Sequence, residues 1–331
     1  MSSKETSTAV AKPRLKSGQQ RLFALIALIA IYVIFAAFGN RFFTYRTFMN
    51  ILEQSYYIGF LAVGVTFIII TGGIDLSLGT VMMCSAMVGL VSFGAGVPFV
   101  LALIITLLVG VLFGVLNGVL VSYLKLPAFI ATMGSMMIAL GLSAIVSKVQ
   151  TRHFPSRTAE VGSWFQNVFR SVNMDGTVIP TGAFWLVGLI VIAVIVLNKT
   201  RIGRYTFAIG SNEEAVRLSG VAVEKWKLIP YIIAGFCTGM AGIMYGATYT
   251  TIIPQTGQGE ELNAIAAVVI GGTSLSGGIG SITGTVIGVF IMSVLQVGLM
   301  SMNVQPHYQK VLTGIIVIIA VFIDIRQHKK R

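Results

Sequence analysis

Ten apolar runs constrain what this chain can fold into. They are Leu22 to Phe38, Tyr56 to Thr71, Thr80 to Phe93, Pro98 to Leu120, Pro127 to Ser147, Thr181 to Leu197, Leu228 to Thr248, Leu262 to Gly272, Ile282 to Met300 and Val311 to Ile325. Long unbroken runs suit helices that cross the roughly 30 Å hydrocarbon core, whereas a lipid-facing barrel strand alternates over about ten residues. Composition excludes the soluble alternative. Of the residues 55% are hydrophobic and only 10% charged, with mean hydropathy +0.88, while soluble domains carry about 25% charged residues. The expected fold is all-α: a polytopic membrane protein with about ten transmembrane helices, some short, broken or re-entrant.

Charge orients the runs. Residues 1–21 carry Lys4, Lys12, Arg14, Lys16 and Arg21 with little apolar clustering and read as a disordered basic cytoplasmic tail. A single permeating domain over 22–325 follows, and residues 326–331 form a basic C-terminus. Basic residues remain cytoplasmic, so both termini are expected inside and the number of crossings even. Leu262 to Gly272 has eleven residues, too few to cross alone, so this element is read as broken or re-entrant. The 37 glycines suit close helix packing. The net charge of +12 does not indicate nucleic acid, because the basic residues lie between apolar runs rather than in one continuous basic domain. Cys84 and Cys237 lie inside apolar runs and read as buried apolar residues. His153 and His307 lack companion ligands at metal spacing, so no metal is expected.

Two connections carry functional candidates. The outward loop 148–180 contains Trp164, Phe165, Val168, Phe169 and Val172 at helical spacing. Such a face either lies on the bilayer surface or docks an outside partner, with Trp164, Phe165 and Phe169 as docking candidates. The inward loop 198–227 contains a complete short-helix pattern. Ser211 or Asn212 can cap it, Glu213 and Glu214 occupy its first turn, Arg217 lies near its end and Gly220 just beyond. Two turns are not stable alone in water, so something should pack on them, either the bundle itself or a partner.

Glu214-Ala215 and Gly220 in that loop resemble the coupling-helix motif of ATP-binding cassette importer permeases. Asn50-Ile51-Leu52-Glu53-Gln54, Gly73-Ile74-Asp75-Leu76-Ser77-Leu78-Gly79, and Asn117-Gly118 followed by Pro127-Ala128-Phe129-Ile130-Ala131-Thr132 extend the likeness. So do Thr200-Arg201-Ile202-Gly203 and the stretch from Glu261-Leu262-Asn263 to Gly271-Gly272. Together they are similar to the ribose, galactose and xylose permease branch, collinear over roughly residues 40–325. Asn263 departs from the aspartate expected there. The resemblance implies a multi-pass protein of the bacterial inner membrane with no catalytic residues. It implies ATPase subunits that bind ATP and Mg, a second permease copy or paralogue, and an extracytoplasmic sugar-binding protein. Asn212, Glu213, Glu214, Ala215, Arg217 and Gly220 would then couple to the ATPase. The chain itself has no G-x-x-x-x-G-K-[ST] phosphate loop. Leu275-Ser276-Gly277-Gly278 looks like the ATPase signature, but it lies between membrane runs and reads as a glycine turn.

Asp75 is the one acidic residue between Tyr56 and Lys125, and an unpaired charge at membrane depth costs at least about 2.5 kcal/mol. Asp75 or Ser77 either caps the following helix or lines the path. Gly72 to Gly79 and Gly271 to Gly278 share five of eight residues, with Asp75 opposite Ser274, which suggests an internal repeat. Matching glycine interruptions point to a transporter's central site. The path candidates are therefore Asp75, Ser77, Asn263, Thr273, Ser274 and Ser276, while Asn117 reads as a bond between helices. The substrate expected is a monosaccharide such as ribose, galactose or xylose. The alternatives are a polyol or furanone-type signal, an ion-coupled secondary transporter, and, more remotely, a membrane enzyme.

Overall fold

The computed structural model describes residues 17–172 and 178–328 and is overwhelmingly helical. The helices are α1 (Ser17–Phe38), α2 (Tyr45–Ile70), α3 (Leu78–Gly94), α4 (Phe99–Ser122), α5 (Ala128–Ser147), α6 (Trp164–Phe169), α7 (Thr181–Lys199), α8 (Arg201–Ser211), α9 (Glu213–Leu218), α10 (Val223–Tyr249), α11 (Glu260–Ile270), α12 (Ile282–Ser301) and α13 (Pro306–His328). Four two-residue strands form antiparallel ribbons. β1 (Arg152–His153) pairs with β4 (Thr251–Ile252), and β2 (Ser171–Val172) pairs with β3 (Val178–Ile179).

Six of the described helices, α2, α4, α5, α7, α10 and α12, are long and apolar enough to cross a membrane. Leu22–Phe38 within α1 and Leu78–Gly94 are shorter apolar helices, and α11 has only 11 residues. The six are fewer than the ten crossings expected from the apolar runs. The runs also understate some helices. α2 begins eleven residues before Tyr56, because Arg46, Asn50, Glu53 and Gln54 interrupt its hydropathy but not its helix, and Thr44 caps it by accepting from the Thr47 amide. α1 begins at Ser17, so the expected tail 1–21 is helical in its last five residues. The rest of that tail and residues 329–331 lie outside the described residues.

α2 is the axis of the bundle: every residue from Glu53 to Ile70 is buried. Beside it α4 and α10 cross closely because both present small residues. A methyl group on Gly110 or Gly114 would collide with the backbone of Gly235 or Tyr231. Gly110, Gly114 and Gly118 recur every fourth residue, the spacing that lets helix backbones meet without a hydrophobic drive from lipid. The outward faces of α4 and α7 keep Leu101, Leu108, Leu112, Phe184, Val191 and Ile192 exposed, as lipid contact requires.

The loop expected over 148–180 folds back onto the bundle. Phe165 lies among Phe99, Phe154 and Phe169, stacked on Phe154 at 5.0 Å, and is fully buried. Glu53 and Arg170 form an ion pair that fastens the same loop to α2.

Candidate functional site

Asp75 lies between α2 and α3 and is 2% exposed. Its Oδ1 accepts from the Ser77 amide at 2.8 Å and from the Ser77 hydroxyl at 2.6 Å. Its Oδ2 accepts from Asn117 Nδ2 at 3.1 Å, and the same Nδ2 donates to Ser77 Oγ at 2.9 Å. Ser135 on α5 then donates to Asn117 Oδ1. A carboxylate in an apolar bundle is tolerated where donors surround it; these donors come from its own loop and from α4, with Ser135 of α5 holding Asn117 in place. The capping expectation needs correction. Ser77 precedes α3 but makes no side-chain cap bond, and Asp75 satisfies the Ser77 amide two residues ahead of it rather than an amide inside the helix.

The repeat suggested by sequence recurs as local geometry. Gly72 at φ +78 ends α2, with its amide on the Ile69 carbonyl and the Gly73 amide reaching Ile68 at 3.1 Å. Gly272 at φ +90 ends α11 with the equivalent bonds to Val269 and Val268. Only glycine enters that left-handed cap without a steric cost. The Ser276 amide bonds Ser274 Oγ at 3.2 Å, as the Ser77 amide bonds Asp75. One residue fewer separates cap from turn in the second loop. The two loops touch: the Gly278 amide donates to the Ile70 carbonyl at 2.8 Å. Thr273 and Ser274 are buried, the Thr273 hydroxyl without a hydrogen-bond partner, while Ser276 is exposed. These three belong to the loop that meets the end of α2 at Ile70.

Asn263 sits elsewhere, in the first turn of α11. Its Nδ2 donates to Glu260 Oε2 at 3.0 Å. The Glu260 carboxylate is also hydrogen-bonded to Tyr57. Tyr57 accepts from Gln54 Nε2 at 2.8 Å, and Gln54 bonds Gln296 and Tyr249. The rings of Tyr57, Tyr245 and Tyr249 meet at 4.6 to 6.1 Å. Glu261 is 5% exposed, and its Oε1 accepts from the Gly259 amide at 2.9 Å. Sequence reasoning named Gln54 and Glu261 only inside the motifs that carry the family resemblance, with no role assigned, and did not name Glu260 or Tyr57. The pattern that marks them is two adjacent carboxylates directly before an apolar run, a placement that is rare inside a membrane protein.

α9 forms as its pattern predicts. Asn212, not Ser211, caps it by accepting from the Ala215 amide at 2.9 Å, and Gly220 follows at φ +81. None of its residues is buried, and Glu214, Ala215 and Leu218 are exposed, Leu218 to 80%. It is tethered by ion pairs: Glu213 to Arg217 at 3.1 Å and to Lys227 at 2.9 Å, and Arg217 to Glu224 at 3.2 Å. The Lys227 ammonium bonded to Glu213, with Arg217 beside it, holds that carboxyl below its usual range. A cleft of about 300 Å³ between α9 and the ends of α2 and α4 is lined by Gly72, Gly73, Lys125, Glu213, Arg217 and Lys227.

The docking candidates of the outer loop do not form one surface. Phe165 is fully buried and Phe169 is 7% exposed, and only Trp164, at 40%, reaches the exterior. The helical spacing was legible; on the apolar side Phe165 and Phe169 face the bundle, while Trp164 and Val168 remain exposed.

Comparison with known proteins places this architecture. A family model described as branched-chain amino acid transport system / permease component matches residues 47–321. The ribose import permease protein of Escherichia coli K12 is 37% identical over 307 residues, covering 91% of this chain and 92% of the relative. The fructose import permease protein of Rhizobium meliloti is 36% identical over 303 residues, 91% of this chain and 82% of the relative. The xylose transport system permease protein of Escherichia coli K12 is 33% identical over 365 residues, 94% of this chain and 93% of the relative. No solved structure matches the chain significantly.

Proposed function

This chain belongs to the branched-chain amino acid transport system / permease component family, and on that premise we propose that it is the membrane-spanning subunit of an ATP-driven importer for a monosaccharide. The observation that carries the reading is the near end-to-end match to import permeases for ribose, fructose and xylose. The chain itself is not an enzyme in this reading: ATP and Mg are bound by separate ATPase subunits on the cytoplasmic side, where both termini also lie. A second permease copy or paralogue and an extracytoplasmic sugar-binding protein complete the assembly.

In this reading α9 is the coupling helix. A six-residue helix with no buried residue and an exposed Leu218 is built to seat in another protein, and its ion pairs to α10 let a push on α9 reach the bundle. Asn212, Glu213, Glu214, Ala215, Arg217 and Gly220 shape that contact. Asp75 and Ser77 hold the loop before α3, and Thr273, Ser274 and Ser276 shape the paired loop where the path leaves the bundle.

Uptake into proteoliposomes tests the function. Import should require ATP and the ATPase subunit and persist after proton and sodium gradients are collapsed. Uptake driven by an ion gradient without the ATPase overturns the assignment.

A further inference from the structure

Glu261 Oε2 is a buried carboxylate oxygen with no hydrogen-bond partner. Its neighbour Oε1 is satisfied by the Gly259 amide, so the side chain is fixed while half of it is left unpaired. An acceptor left in that state carries its desolvation cost uncompensated. Stabilising the acidic end of α11 does not account for it, since one oxygen and Glu260 already serve that end.

The position gives the oxygen a use. α11 ends where Gly271 meets Gly284 at the start of α12, beside the loop whose Gly278 bonds Ile70 at the end of α2. Eleven residues rise about 16 Å, which puts the first turn of α11 near half the ~30 Å hydrocarbon thickness. The chain reaches it through the non-helical segment 253–259, which carries Gln255 at φ +57, Gly257 at φ +101 and Gly259 at φ +100. Irregular backbone at such depth is tolerated only inside protein or beside a water-filled path, and broken helices near the midplane are where transporters hold substrate. Gly79, at the start of α3, lies directly against this turn: a methyl group there would collide with the Gly257 carbonyl oxygen and stand 2.5 Å from Glu261 Oε2.

We propose that the first turn of α11 is the station where the sugar hydroxyls are held in transit, with Glu261 Oε2 and the Glu260 carboxylate accepting from hydroxyls, Asn263 and Tyr57 completing the ring, and Tyr249 at its open edge. The assignment rests on the monosaccharide reading and locates its contact. The chemistry fits a neutral polyhydroxyl compound. Carboxylates accept from O–H donors without changing charge, and aromatic rings cover the apolar C–H faces. Glu260, Asn263, Tyr57 and Gln54 bond one another when the site is empty, so release of the sugar leaves only Glu261 Oε2 unpaired. Binding is then loose enough for passage.

The test uses the full importer, reconstituted with its ATPase subunits and binding protein, with radiolabelled ribose, fructose and xylose as probes. Glu261→Gln keeps the acceptor for Gly259 and replaces the unpaired acceptor oxygen with an uncharged NH2 donor. It should lower uptake of the imported probe at least tenfold while the thermal unfolding midpoint stays level or rises, because a buried charge has been removed. Tyr249→Phe, at a site 42% exposed, should raise the KM for that sugar severalfold. Wild-type uptake and KM in both variants, or a transport loss matched by lost thermal stability, overturns the assignment while leaving the importer reading intact. A wild-type importer that takes up none of the three probes with ATP overturns both.

Discussion

Asn117 donates to Asp75 across 3.1 Å, joining α4 to the loop that precedes α3. Asp75→Leu would strand the Ser77 amide in a dry interior at about 1–3 kcal/mol and take from Asn117 Nδ2 one of its two acceptors, leaving Ser77 Oγ. Asp75→Asn retains one acceptor oxygen and loses the bond at Oδ2, because Asn117 is already committed to Ser135 through its own oxygen. Thermal unfolding in mild detergent should rank wild type above Asp75→Asn and Asp75→Asn above Asp75→Leu. An Asp75→Leu protein as stable as wild type would show that the network contributes nothing.

The α4–α10 crossing predicts opposite results at two glycines. At Gly114 a methyl group meets the Tyr231 carbonyl and the Gly235 backbone, so Gly114→Ala must separate two helices and should cost about 1–3 kcal/mol. Gly134 on α5 has open space around it, and Gly134→Ala should be neutral or stabilising by about 0.5–1 kcal/mol. Yield of folded protein after extraction is the readout, and equal yields would refute the packing account.

Membrane class and the inward short helix were legible because both are local: one is a matter of run length, the other of a cap, a first-turn acid pair and a glycine spaced along nine residues. The cap was left between Ser211 and Asn212 because both residue types suit it, and only backbone geometry selects Asn212. The Phe165 face was legible as a face but not in its direction. Helical periodicity reports that one side is apolar and is silent on whether lipid, partner or the same chain covers it. Asp75 was recognised as needing partners, yet Ser135 could not be paired with it from spacing, since that contact depends on how α4 and α5 cross. Glu261 gained no role from sequence for a related reason: its isolation is a property of the fold, not of the residues beside it in sequence.

The Glu213–Lys227 tether has a defined pH dependence. Its folded pKa is depressed, first by the hydrogen bond from Lys227. The stabilisation is therefore complete above the unfolded value, near 4.5, and is lost as pH falls through the folded value. The pair is partly exposed, so the effect is about 0–1 kcal/mol. A spin label at Leu218→Cys should report an unchanged α9 between pH 6 and 8 and a looser one below pH 4.5. Glu213→Gln should show the loose signal already at pH 7, and a label that tightens on acidification would contradict the pairing.

Rigidity of α9 is the final prediction. Gly220 lies at φ +81 with open space where a side chain would go, so Gly220→Val does not clash with any neighbour; its cost is the conformation alone, roughly 1–2 kcal/mol. Asn212→Ala removes the bond to the Ala215 amide at about 1 kcal/mol. Glu214→Pro is the control that separates charge from shape, because position 214 falls in the first turn, where proline is tolerated and only the exposed carboxylate is lost. All three sites lie outside the buried bundle, so insertion and folded yield should match wild type. If α9 transmits force as a small rigid body, Gly220→Val combined with Asn212→Ala should abolish sugar-stimulated ATP hydrolysis, while Glu214→Pro alone should reduce it only modestly. The reverse order would mean that α9 acts through the Glu214 charge and not through its shape. Full stimulation in all three would remove α9 from the coupling route.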